Sequence, residues 1–129
     1  MNIFDTPPQE DYERLRALYY PGTDVILICF SMVDIKSYED VYTKWFPELT
    51  FSCPNVPVIL VGTQRDRCGD PQTIGRLKRQ QPCSAPLTSF DGVEMAERIG
   101  AKKFVECSAF LQKGVADVFR EAALAANHF

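Results

Sequence analysis

Histidine is almost missing: His128 is the only one in 129 residues, and no cysteine stands beside it. Cysteine–histidine catalysis therefore lacks a placed pair. The cysteines Cys29, Cys53, Cys68, Cys83 and Cys107 are odd in number and widely spaced, with no CxxC or other metal-ligand spacing. A disulfide framework is excluded on that count, and reduced, mostly buried thiols are expected. There is no secretory leader and no apolar run long enough to span a bilayer, so a cytoplasmic protein is expected. The carboxyl-terminal A-N-H-F carries no cysteine, so no prenyl group and no lipid anchor are expected. A basic excess is also lacking. The net charge of −3 argues against a protein that reads a nucleic-acid backbone. There is no internal repeat. What is present is 46% hydrophobic residues, enough to pack a core in one domain or a piece of one.

The stretch Val56 to Asp66, V-P-V-I-L-V-G-T-Q-R-D, dominates the chain. Its apolar run reads as a strand covered on both faces, as in a parallel sheet. The polar residues Thr63 to Asp66 follow its carboxyl end, where open α/β sheets place their ligand chemistry. Taken alone, this quartet reads equally well as a solvated turn. Val25 to Phe30 is the most hydrophobic segment and reads as a second strand. Lys103 to Cys107 reads as a third, with Ser108, Ala109 and Phe110 at its carboxyl end. Met1 to Phe4 is a strand stub, and Asp5 to Gln9 holds a Pro7-Pro8 pair that fixes two φ angles and removes two donors.

Helices are expected over Gln9–Tyr20, from Ser37 through Leu49, over Ser89–Ile99 with Gly100 as a left-handed cap, and over Gly114–Ala126. Ser37 and Asp40 have the spacing of a capping box. Tyr38, Val41, Tyr42, Trp45 and Leu49 mark the face that packs on the sheet. Residues 67–88 form a polar surface insertion. A short basic helix is expected there, over Thr73–Gln81. Its Arg76, Lys78 and Arg79 read first as solvated charge and second as a docking patch. Alternation of strand and helix gives an α/β class with a parallel sheet and helices on both faces.

Loops at the carboxyl ends of adjacent parallel strands converge. In such a crevice Asp66 would accept from N1–H and the 2-amino group of guanine, a pair adenine does not offer. The backbone N–H near Ala109 would donate to the purine O6, while Gln64 and the stem of Arg65 would cover the ring faces. Asp5 could hold a metal-bound water, and Gln9 could orient a water for attack on a phosphate.

F-D-T-P-P-Q-E-D-Y-E-R-L-R, Y-P-G-T-D-V-I-L-I-C-F-S, K-W-F-P-E-L, C-P-N-V-P-V-I-L-V-G-T-Q-R-D and E-C-S-A together resemble the Rho/Rac class of Ras-like small GTPases. The likeness runs from the second switch segment onward and covers the carboxyl-terminal two-thirds of that family's domain. It implies a GTP-binding and GTP-hydrolysing signalling switch that uses GTP or GDP with Mg²⁺. Thr63, Gln64, Asp66, Ser108 and Ala109 fall on the base-reading loops. Asp5 falls on the metal-side aspartate, acting through water, and Gln9 on the water-orienting glutamine.

The family's G-x-x-x-x-G-K-[ST] phosphate loop, its first switch and its N-terminal strands have no counterpart in this chain. Proline also stands at Pro8, where the family pattern has a glycine whose N–H meets the γ-phosphate. Against the resemblance, the expected fold is therefore a partial P-loop-NTPase-like three-layer α/β fold. Residues 1–129 would form a truncated, pseudo-GTPase domain that binds nucleotide weakly and hydrolyses poorly. Regulators or effectors would dock on residues 5–20.

Val25–Phe30 would become an edge strand with open backbone groups and recruit a homo- or hetero-oligomer partner. Covering roughly 300 Å² there is worth about 7–8 kcal/mol. The alternative is a non-enzymatic interaction module, or half of a split GTPase. A receiver-type protein is set aside, because the acidic cluster it needs after its first strand is absent.

Overall fold

The computed structural model describes residues 2–6, 13–80 and 85–127. Pro7, Pro8, Gln9 and His128 lie outside the described residues, as does most of the start of the Gln9–Tyr20 helix.

Three parallel strands form one sheet in the order β1 (Ile26–Ser31), β2 (Val58–Thr63) and β3 (Lys103–Glu106). Ile26 pairs with Val58 and Ile59 with Lys103, so β2 is central. It is also the most buried strand: Ile59, Leu60 and Val61 are all but inaccessible. The second strand starts two residues later than its apolar run. Pro57 has no N–H for a ladder, and only its carbonyl is used, accepting from Ile26 N–H at 2.9 Å.

Both faces of the sheet are covered. On one, Ile28, Phe30, Met32 and Leu60 pack with Val41 and Leu49, and with Met95 and Ala96. These come from the long helical run after β1 and from α5 (Ser89–Ile99). On the other face, Ile59 and Val61 meet Val118 and Ala125 of α6 (Val115–Ala126). Phe104 of β3 stacks on Phe30 with centroids 6.0 Å apart. Gly92 of α5 presses against the Phe104 ring so closely that a Cβ at position 92 would collide with it.

The helical run after β1 differs from its expected form in two ways. It begins three residues earlier, because Asp34 rather than Ser37 is the cap: the Asp34 carboxylate accepts from Ser37 N–H at 3.4 Å. Ser37 turns its hydroxyl to the Asp34 carbonyl at 2.6 Å and accepts from Ser31 N–H at 2.9 Å. The run is also not one regular helix. α2 (Ile35–Asp40) passes through a wide π turn, Val41–Trp45, into α3 (Phe46–Ser52). Pro47 explains this: its missing N–H and its ring cannot be fitted over the preceding α-turn. Phe46 N–H reaches back to the Val41 carbonyl instead. The wider turn shifts the side-chain phase. Val41 and Leu49 stay buried, but Tyr42 is turned to solvent under the guanidinium of Arg98 at 4.8 Å.

α1 is short, Glu13–Ala17. Its Arg16 is 1% exposed. The guanidinium donates to both carboxylate oxygens of Glu48 in α3, at 2.6 and 3.1 Å, and the Tyr20 hydroxyl bonds the same carboxylate. Trp45 lies beneath Arg16 at 5.1 Å. Burial alone would raise the Glu48 carboxyl, but its bonds from Arg16 and Tyr20 outweigh that and hold it below its ordinary value. Burial and the Glu48 carboxylate together push the Tyr20 phenol above its ordinary range.

After β2, a 3₁₀ turn (Arg65–Gly69) leads to α4 (Pro71–Gln80). Asp70 caps α4, accepting from Thr73 N–H at 3.1 Å and from its hydroxyl at 2.6 Å. Pro71 takes the first-turn position where a missing N–H is harmless. Gly100 closes α5 at φ 73°.

Candidate functional site

Two loops meet at the carboxyl end of the sheet. The loop after β2 turns sharply, because Gln64 adopts the left-handed region at φ 57°. Arg65 N–H then donates to the Cys107 carbonyl at 3.1 Å, and Cys107 N–H to the Gly62 carbonyl at 2.9 Å. The loop after β3 is closed by a reciprocal pair between Ser108 and Lys113, at 2.8 and 3.0 Å. Gly114 follows at φ 77°, with no room for a Cβ against the Glu106 carbonyl.

Ser108 joins the two loops. It is 3% exposed. Its hydroxyl donates to Asp66 Oδ1 at 2.8 Å and accepts from Leu111 N–H at 3.1 Å. Asp66 Oδ2 has no hydrogen bond among the described residues. The Ala109 N–H likewise meets no protein acceptor among them. An acidic acceptor and a backbone donor thus stand together on an exposed rim.

Three of the expected site residues have other immediate tasks. Thr63 belongs to β2, and its hydroxyl donates to the Phe30 carbonyl at 3.1 Å. Gln64 Oε1 accepts from the Ser31 hydroxyl at 2.6 Å, which ties the rim to β1. Arg65 extends toward Glu106 at 3.7 Å, and Ser89 holds the other Glu106 oxygen at 2.8 Å. Ser31 and Glu106 escaped the sequence reading. Their only signal was position, at the carboxyl ends of β1 and β3.

Asp5 does not join this rim. It is exposed, and its charge acts on the Cys29 thiol in β1. The Cys29 side chain is itself exposed, and its thiol is nonetheless pushed upward, by the packed strands around it first and then by Cys107 and Asp5. Among the described residues no three His, Cys, Asp or Glu side chains are grouped to hold a metal. Two hollows, of about 490 Å³ beside Tyr42, Phe46 and Phe51 and about 540 Å³ beside Pro54, Lys103 and Glu121, lie away from the two loops.

A family model described as the Ras family matches residues 1–128. The chain belongs to the Ras family. The match corrects the reading of this chain as only the carboxyl-terminal part of a Ras-like domain. It overturns in turn the partial fold with missing N-terminal strands, the truncated pseudo-GTPase, and the inference that the chain by itself is inactive and binds no GTP, GDP or Mg²⁺ tightly. Those expectations rested on the phosphate loop, the first switch and the N-terminal strands, for which this chain has no counterpart, and on proline at Pro8. Family membership rests instead on a match that extends over residues 1–128. As a Ras-family protein it falls in a class of signalling proteins that work through contacts with other proteins. No helix among the described residues is long and apolar enough to cross a membrane.

Proposed function

We propose that this Ras-family chain is a guanine-nucleotide-binding switch whose base site is built by Asp66, Ser108 and Ala109. The observation that carries the reading is the Ser108 hydroxyl on Asp66 Oδ1. It orients the carboxylate and leaves Oδ2 open beside the free Ala109 N–H. Asp66 accepts from guanine N1–H and the 2-amino group, and Ala109 donates to O6. Thr63 and Gln64 position the rim through Phe30 and Ser31. Gln9 would orient the attacking water, and Asp5 would hold the metal through water when the metal is bound. GTP hydrolysis is phosphoryl transfer, in which positioning and charge stabilisation supply most of the rate. Regulators and effectors dock on residues 5–20, and the place of action is cytoplasmic.

Calorimetric titration with guanosine, adenosine and xanthosine diphosphates tests the base site. Wild type should take the guanosine form alone. Asp66→Asn should lose it by about 100-fold, since a bidentate charged pair is worth about 3 kcal/mol. The same variant should gain the xanthosine form, whose C2 oxygen accepts from the new amide. Equal binding of guanosine and adenosine diphosphates by wild type would sink the assignment.

The exposed side of β1 supports a second contact surface. Ile26 and Met32 N–H groups point to the β2 side. By strand alternation those of Leu27 and Cys29 point away from β2, to the side where no strand is paired among the described residues. A homo- or hetero-oligomer partner supplying a strand would satisfy them.

A further inference from the structure

The 3₁₀ turn and α4 concentrate charge of one sign. Residues 65–79 hold five cations and two carboxylates, net +3, in a chain of net −3, so the remainder carries −6. The two signs are also sorted by depth. Asp66 and Asp70 are half-buried and bonded inward, to Ser108 and Thr73. Arg65, Arg67, Arg76, Lys78 and Arg79 are all exposed.

α4 anchors through Thr73 and Leu77, 3% and 5% exposed. Helical spacing then puts Gly75 and Arg79 on the outer face, with Lys78 and Arg76 on its two flanks. A Cβ at Gly75 would meet nothing within 4 Å. The centre of the face is therefore bare backbone, with Pro71 and Gln72 on its N-terminal side and the three cations beside and beyond it. None of the three makes an ion pair or side-chain hydrogen bond among the described residues. No large apolar side chain is exposed on α4.

We propose that this face of α4 is a docking surface for an acidic protein segment, a short run of Asp or Glu side chains on a partner. Arg76 and Arg79 offer planar forks that suit carboxylates, and Gly75 lets an acidic strand or loop lie close to the helix. The size of the patch favours a local segment over a membrane. Ten helical residues span about 15 Å, and screening reaches about 8 Å at physiological salt. A planar anionic membrane would also face the carboxylates of the remaining, net negative surface. An acidic segment meets the cations alone.

The test is fluorescence anisotropy of a labelled octaglutamate peptide against the full chain, at low and at physiological salt. Octaglutamine and phosphatidylserine vesicles form the parallel arms. Octaglutamate should bind, and more weakly as salt rises. The triple variant Arg76→Gln/Lys78→Gln/Arg79→Gln should weaken it by at least about tenfold, three exposed charge pairs being lost. Gly75→Glu should weaken it as much while improving helix propensity, which separates docking from folding. A control triple, Arg14→Gln/Lys102→Gln/Arg120→Gln, should leave binding unchanged. The proposal is overturned if octaglutamate does not bind at low salt, or if the control triple weakens it equally. Vesicles captured through Arg76, Lys78 and Arg79 without octaglutamate binding would overturn it too.

Discussion

At the residue scale, one hydroxyl carries much of the rim. Ser108 Oγ donates to Asp66 and accepts from Leu111 N–H. Removing it frees the carboxylate to rotate and leaves the loop N–H unpaired. Ser108→Ala should weaken guanosine diphosphate binding by about tenfold, the worth of one charge-assisted hydrogen bond. Thermal stability should fall by about 1 kcal/mol. Calorimetry and a melting curve read the two effects separately. Unchanged affinity with lowered stability would show that Ser108 supports the fold alone. That the loops of Asp66 and Ser108 lie at the carboxyl ends of adjacent strands was legible, because both follow apolar runs that read as parallel strands. The Ser31–Gln64 bond was not: the partners are 33 residues apart, and neither residue type advertises the other.

At the element scale, the Arg16–Glu48 bond fastens α1 to α3. Glu48 has a depressed value when folded, so its contribution is complete above the ordinary carboxylate range of about 4.3. It is lost as pH falls through the lower folded value. Tyr20 is raised, so its contribution is complete below about 10 and is lost only as pH rises through the folded value. Amide exchange across 13–20 should therefore stay slow relative to the intrinsic rate from pH 5 to pH 9 and accelerate below about pH 4. Glu48→Gln removes the charge that Arg16 bonds in α3 and should cost about 3 kcal/mol, read as loss of protection in α1 at neutral pH. Little of this was visible beforehand. Arg16 sits in a charged stretch, where exposure is the ordinary expectation for arginine. The π turn was hidden for a related reason. Pro47 announces a disturbed helix, yet only the backbone shows whether the helix ends or widens. By contrast, α5 and its Gly100 cap were plain, because an apolar helical pattern ended at a glycine that the left-handed cap requires.

For the whole molecule, the sheet order leaves one side of β1 without a paired strand among the described residues. Leu27 and Cys29 direct their N–H groups there. If a second chain supplies the missing ladder, light scattering should show mass rising with concentration. Cys29→Pro should return it to the single-chain value, since proline on the open side removes a donor without touching the β2 pairing. A concentration-independent single-chain mass for wild type would count against this surface as a self-contact. The parallel direction of the three strands was readable from the alternation of apolar strands and helices. That the family match extends over residues 1–128 was not, because the lack of a phosphate loop, a first switch and N-terminal strands weighed against it.

The ring of Phe104 has a kinetic consequence. It is held between the bare backbone of Gly92 and the stacked face of Phe30, with Gly62 also close by. A half-turn of that ring requires α5 to lift from the sheet. Its two edges should then give separate proton resonances on cooling, and the temperature at which they merge would report how often the layers breathe.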